Sequence, residues 1–132
     1  MKRFFLLTLA SAALLGASAA PVKTYEVKSP DGRLALVLTA GERLSFTVAR
    51  DGETLVAPSE MALTLSTGEV LGESPRVRSA RRRAVTETID APLYRQSRFD
   101  AAYNELDLRL RGDYGILARA YDEGVCYRFY TE

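Results

Sequence analysis

Beyond its first twenty residues, the chain places apolar side chains at every second position, and this period constrains the fold more than any other feature. Leu34, Leu36 and Leu38 alternate within RLALVLT, Leu44, Phe46 and Val48 within RLSFTVA, and Met61, Leu63 and Leu65 within MALTLS. The pattern returns at Leu106, Leu108 and Leu110, at Ile116, Ala118 and Ala120, and at Val125, Tyr127 and Phe129. A strand sends successive side chains to opposite faces, so each run offers one face to a core and one to water. Turn signals separate the runs. Ser29-Pro30-Asp31-Gly32 sets proline where a type I turn needs φ near −65°, and Asp51-Gly52, Gly112-Asp113 and Asp122-Glu123-Gly124 are compact connections. Strands at about 10-residue intervals without an amphipathic helix predict an all-β antiparallel sandwich.

Residues 66–99 interrupt the rhythm. Gly68, Gly72 and Pro75 break the segment, and Arg76, Arg78, Arg81, Arg82 and Arg83 crowd it with charge. Such a run suits a solvated edge strand and loop, where charge discourages pairing with another sheet. An anion or acidic-polymer site is the alternative, set against the nearby Glu87 and Asp90.

The first twenty residues read as a leader rather than as structure. Lys2 and Arg3 precede the uncharged apolar run Phe4 to Gly16, and Ala17-Ser18-Ala19 supplies the small residues a signal peptidase reads. Thirteen apolar residues fall short of the ~20 that span a bilayer. The sequence thus predicts a signal peptide over 1–19 and a mature domain over 20–132, exported to the periplasm or beyond, with no membrane span after cleavage. In that oxidising compartment the single Cys126, which has no internal partner, is expected to be buried.

The 132 residues contain no histidine, which removes Ser/His/Asp and Cys/His catalysis and every imidazole acid, base or ligand. No CxxC pair and no GxxxxGK[ST] or GxGxxG loop is present. A formal charge of +1, falling to −1 when Lys2 and Arg3 leave, gives nucleic acid no electrostatic hold. Carboxylates remain as candidates for acid–base work: Asp90, Asp100, Glu105, Asp107, Asp122 and Glu123. A glycosidase needs two of them flanking one bond, about 5–10 Å apart, which strand spacing does not establish. Asp122 and Glu123 suit a turn, and Asp107, opposite in parity to the leucines, suits solvent. Past the leader, only Tyr25 and Phe46 among the aromatics precede residue 90. Tyr127 and Phe129 fit a core, whereas Tyr130 takes the opposite face.

Several blocks together resemble the N-terminal domain of glycoside hydrolase family 97. They are Ser29-Pro30-Asp31-Gly32 with Arg33-Leu34, Leu44-Ser45-Phe46-Thr47-Val48 and Asp51-Gly52, then Ile89-Asp90-Ala91-Pro92-Leu93-Tyr94-Arg95. Tyr103-Asn104-Glu105-Leu106 follows, and then Arg119 to Val125 with Tyr127-Arg128-Phe129. The resemblance covers residues 22–132. It implies a β-super-sandwich of the galactose-mutarotase-like type, here truncated on its C-terminal side. It also implies an exported bacterial enzyme, periplasmic or outer-membrane-associated, in which this domain packs on a catalytic (β/α)8 barrel and helps form the pocket. Such enzymes hydrolyse α-glucosidic or α-galactosidic bonds, with calcium near the active site. No catalytic or metal residue of the family carries over to a position in this chain, and the catalytic barrel is absent from it.

The residue reading and the resemblance meet at Tyr94, Arg95, Tyr103, Asn104 and Glu105. They are expected to face the barrel or an α-linked oligosaccharide. The competing reading makes Asn104 and Glu105 partners of backbone groups at a strand entrance, with Tyr94 and Tyr103 capping the sandwich. A free-standing exported sandwich that binds a glycan or protein is the alternative function.

Overall fold

The computed structural model describes residues 21–93, 95 and 97–131, so the predicted leader and Tyr94 lie outside the described residues. Ten strands follow in chain order: β1 Lys23–Lys28, β2 Leu34–Ala40, β3 Leu44–Arg50, β4 Glu53–Glu60, β5 Leu63–Thr64, β6 Val70–Leu71, β7 Val77–Asp90, β8 Arg98–Leu110, β9 Tyr114–Ala120 and β10 Val125–Thr131. They form two four-stranded antiparallel sheets, ordered β1-β2-β3-β4 and β10-β9-β8-β7, with β5 and β6 as a small separate hairpin. The predicted all-β sandwich is borne out. No helix among the described residues is long and apolar enough to cross a membrane.

The alternation read from sequence is what lets the sheets stack. Leu34, Leu36 and Leu38 on β2 share one buried cluster with Leu106, Leu108 and Leu110 on β8 and with Ile116, Ala118 and Ala120 on β9. Small alanines on β9 leave room for the facing leucines, as close packing requires. Turn chemistry fixes the register. Asp51 (φ 52°) and Gly52 (φ 84°) both sit in the left-handed region, the geometry of a two-residue hairpin whose twist matches its strands. At the end of the sandwich carrying the β5–β6 hairpin, Leu44 N–H donates to Gly72 C=O and Met61 N–H to Leu44 C=O, both at 2.8 Å. Gly72 has φ 102°, and a Cβ there would lie 2.2 Å from the Met61 carbonyl oxygen, so only glycine closes this corner.

The solvated edge strand read in the broken middle is there as β7, a continuous 14-residue strand at one edge of the second sheet. Its arginines hide its extent from a periodicity reading, because only Val77 and Ala80 near its start pack on the core and the rest of this edge needs no alternation. Two other expectations need correction. Cys126 is exposed rather than buried. It stands across from Arg119 and shares the outer face of β10 with Arg128, while Val125 and Phe129 point inward and are partly buried. Tyr127 is only in part a core residue: its ring lies 5.2 Å from that of Phe46 across the sheets, yet it stays 39% exposed on the open β10 edge.

Leu108, fully buried at the centre of the seam, tests this account. Leu108→Ala is expected to lower the unfolding free energy by about 2–5 kcal/mol, since the cavity cannot collapse between two sheets. Exposed Arg128→Ala should change it by less than about 0.5 kcal/mol. Urea denaturation at a constant m-value distinguishes the two; equal effects would show that the seam is not where stability resides.

Candidate functional site

Tyr103, Asn104 and Glu105 lie where β8 gains its second neighbour: β7 runs beside it throughout, but β9 joins only from Asn104 onward. Parity sends Tyr103 and Glu105 to the outer face and Asn104 toward β1. The register aligns Arg83, Glu105 and Arg119 in one row across β7, β8 and β9. Arg83 Nε donates to one Glu105 carboxylate oxygen at 2.6 Å, and Arg119 Nε donates to the other at 2.8 Å. Glu105 is 3% exposed beneath them. Burial pushes its carboxyl up, but the hydrogen bonds and charges of the two guanidinium groups outweigh this and hold it below the usual carboxylate range.

Tyr103 continues the network. The Arg119 guanidinium sits 4.5 Å from the centre of its ring, within cation–π range. Tyr121 packs on the same ring at 4.9 Å, and the Tyr103 hydroxyl donates to Glu87 at 2.9 Å. Burial and the Glu87 carboxylate together raise the Tyr103 phenol above its ordinary value. For Arg119, burial acts to lower the guanidinium, but hydrogen bonds to Tyr121 and Glu105 prevail and raise it further. Glu105 and Arg119 are therefore held in their charged forms, and Tyr103 in its neutral form.

On the opposite face, Asn104 Nδ2 donates to Lys28 C=O at 2.8 Å, and Arg82 Nε donates to Glu26 C=O at 3.0 Å. Both acceptors belong to β1, the edge of the first sheet, so side chains of the second sheet occupy backbone positions that a foreign strand would need. A shallow groove of about 260 Å³ remains there, lined by Glu26, Lys28, Arg82, Arg83, Asn104 and Glu105. Nearby, the Ser29–Gly32 turn meets the Asp122 turn: Asp31 N–H donates to an Asp122 carboxylate oxygen at 2.9 Å.

The five residues nominated from sequence therefore divide. Tyr103, Asn104 and Glu105 are brought together, but Tyr103 (2% exposed) and Glu105 are buried within the chain rather than open surface. Their polar atoms already have partners within the chain. Arg95 is exposed on the loop between β7 and β8, away from this network, and Tyr94 lies outside the described residues. Sequence reasoning missed Arg83, Arg119, Glu87 and Tyr121 as members of the cluster. Only the cross-strand register reveals them, since Arg83 and Glu105 are 22 positions apart.

A catalytic acid needs a raised pKa and a free oxygen in reach of substrate. Glu105 has neither: both of its oxygens are hydrogen-bonded and its proton affinity is depressed. The cluster braces three strands. Asp107, expected in solvent, instead accepts a short hydrogen bond from the Tyr130 hydroxyl, whose ring covers Gly115 so closely that any Cβ there would collide with it. Among the described residues no group of three or more Asp, Glu or Cys side chains converges to hold a cation.

Residues 27–132 match the family model described as Glycosyl-hydrolase 97 N-terminal. The chain belongs to glycoside hydrolase family 97, and it is an N-terminal domain of that family. It is 36% identical over 110 residues to a retaining alpha-galactosidase of Bacteroides thetaiotaomicron, a match covering 83% of this chain and 17% of that enzyme. Solved family 97 enzymes from Pseudoalteromonas sp. strain K8, one in complex with panose and one with acarbose, share the fold. Each has a TM-score of 0.73 at 17% identity, covering 81% of this chain and 17% of theirs. The chain thus spans about one-sixth of the length of these relatives.

The bracing role gives a pH signature. A carboxyl held below its unfolded value contributes stability above that value, 4.5 for glutamate, and loses it as pH falls through the folded pKa. Acidification below about pH 4.5 should therefore shift the urea midpoint of the native protein downward more steeply than that of Glu105→Gln. At pH 7 the substitution should cost about 1–3 kcal/mol, toward the low end because Arg83 is largely exposed. Identical pH slopes for the two proteins would remove Glu105 from this role.

Proposed function

We propose that this domain is the non-catalytic, pocket-forming part of an exported α-glycosidase, acting beside a catalytic (β/α)8 barrel rather than alone. The observation that carries the reading is the 36% identity to an alpha-galactosidase of which the chain accounts for only 17%. The internal chemistry agrees with it. Histidine is absent, and the best-placed carboxylate is committed to two arginines. The substrate class is an α-linked oligosaccharide, with an α-galactoside favoured by that relative. Calcium belongs to the full-length enzyme and not to this chain. Export rests on Lys2-Arg3, the apolar run and Ala17-Ser18-Ala19.

Two measurements test this. The polypeptide encoded by the complete reading frame should hydrolyse an aryl α-galactoside or α-glucoside, whereas residues 20–132 alone should not. Secretion from a bacterial host should release a protein beginning at Ala20. Turnover by the isolated domain would overturn the non-catalytic assignment, and an intact N-terminus on the exported protein would overturn the cleavage.

A further inference from the structure

Outside the braced cluster, the long β7–β8 hairpin leaves the sandwich. Residues 98–103 of β8 pair with β7 alone, so residues 85–90 and 98–103 form a two-stranded ribbon beyond the last rung of β9. Such a ribbon is marginal in water unless one face is covered. Its two faces differ sharply. One carries Thr88, Asp90, Arg98 and Asp100, which satisfy one another: Arg98 Nε donates to Asp90 at 2.9 Å and Thr88 Oγ1 to Asp100 at 2.8 Å.

The other face carries Val85, Ile89, Phe99 and Ala101, with Glu87 between them tied to the Tyr103 hydroxyl. Ile89 and Phe99 stand directly opposite each other, 44% and 36% exposed, and Leu93 in the connecting loop is 99% exposed. These three are among seven large hydrophobic side chains exposed in the described structure, and they fall within eleven positions. A concentration of this kind on one side of a projecting ribbon marks an interaction surface. Asp90 and Arg98 pair with each other and Glu87 is bonded to Tyr103, so the tip fits an apolar surface better than a charged polymer.

We infer that this ribbon is the element by which the domain grips the catalytic domain of its own enzyme, with Ile89, Leu93 and Phe99 entering an apolar recess there. The occupant follows from length: this sandwich matches 17% of its family 97 relatives, and the rest of such a chain is the apolar surface tethered to it. The inference rests on the reading of the domain as part of an α-glycosidase, and it moves the contact from the braced Tyr103–Glu105 cluster to the ribbon tip.

The test uses the full-length polypeptide with p-benzoylphenylalanine in place of Leu93, irradiated and mapped by peptide mass spectrometry. Crosslinks to the catalytic domain are expected. Crosslinks confined to the sandwich, crosslinks to a second copy, or none at all would overturn the inference. Trypsin gives an independent readout. Cleavage after exposed Arg95 should be slow in the full-length protein and accelerate in an Ile89→Thr, Leu93→Ser variant; equal rates count against the contact. Hydrolysis of α-glycosides by the same preparation judges the enzyme reading separately, since the crosslink position does not depend on turnover.

Discussion

Every polar arrangement in this domain is positioned by one apolar seam. Leu36 and Leu38 on one sheet and Leu106, Leu108 and Ile116 on the other are wholly removed from water. Two half-buried sheets can share a core only if each keeps its parity, because slipping one strand by a single residue would turn its leucines outward. That constraint fixes the register of β8 against both neighbours. The row Arg83–Glu105–Arg119 is a consequence: once Leu106 and Leu108 face inward, Glu105 must face outward between whatever β7 and β9 place at the same level.

Around residues 103–106, β8 is buried on both faces, with Tyr103, Glu105 and Leu106 all below 4% exposure. Leucines cover the inner face. The outer face is roofed by arginine side chains lying across it, whose stems exclude water while their guanidinium groups engage Glu105 and the Tyr103 ring. A buried carboxylate is costly unless paired and hydrogen-bonded, and here both oxygens are engaged. Three of the blocks that carry the family resemblance, those beginning at Ser29, Tyr103 and Arg119, converge on this end of the sandwich. Tyr103-Asn104-Glu105 meets Arg119 and Tyr121, Asn104 reaches back to Lys28, and the Asp31 turn docks on Asp122. Motifs separated by up to 91 positions are thus one structural joint.

How much of this was legible in the sequence follows from where burial is one-sided. β2, β3, β8, β9 and β10 announced themselves because a face of each meets the seam. β7 was read from its charge as a solvated edge strand, but its length and register were not, since its three consecutive arginines at 81–83 mask any period. The joint was half legible. Glu105 and Tyr103 stood out as polar residues opposite a leucine stripe, but their partners lie on other strands, and no local spacing encodes a cross-strand row. Cys126 was misplaced because its burial was argued from the redox state of a compartment rather than from the parity of β10. Its neighbours Val125 and Phe129 already implied the outward direction.

The distribution of satisfied and unsatisfied surface also separates the structural part of the domain from the part left for interaction. Side chains of the second sheet occupy the Glu26 and Lys28 carbonyls of β1, and Glu105, Asp107 and Tyr103 have internal partners. Surface with its hydrogen bonds already made gains little from a partner, because association would only exchange one set of bonds for another. Apolar area exposed to water gains from any cover that removes it, at about 25 cal/mol per Å². Ile89, Leu93 and Phe99 present such area at the far end of a strand pair that the rest of the sandwich does not reach. The polar cluster that first draws attention as a site is thus the rigid base, and the ribbon it anchors through Tyr103 and Glu87 is the part of the domain with free energy still to gain.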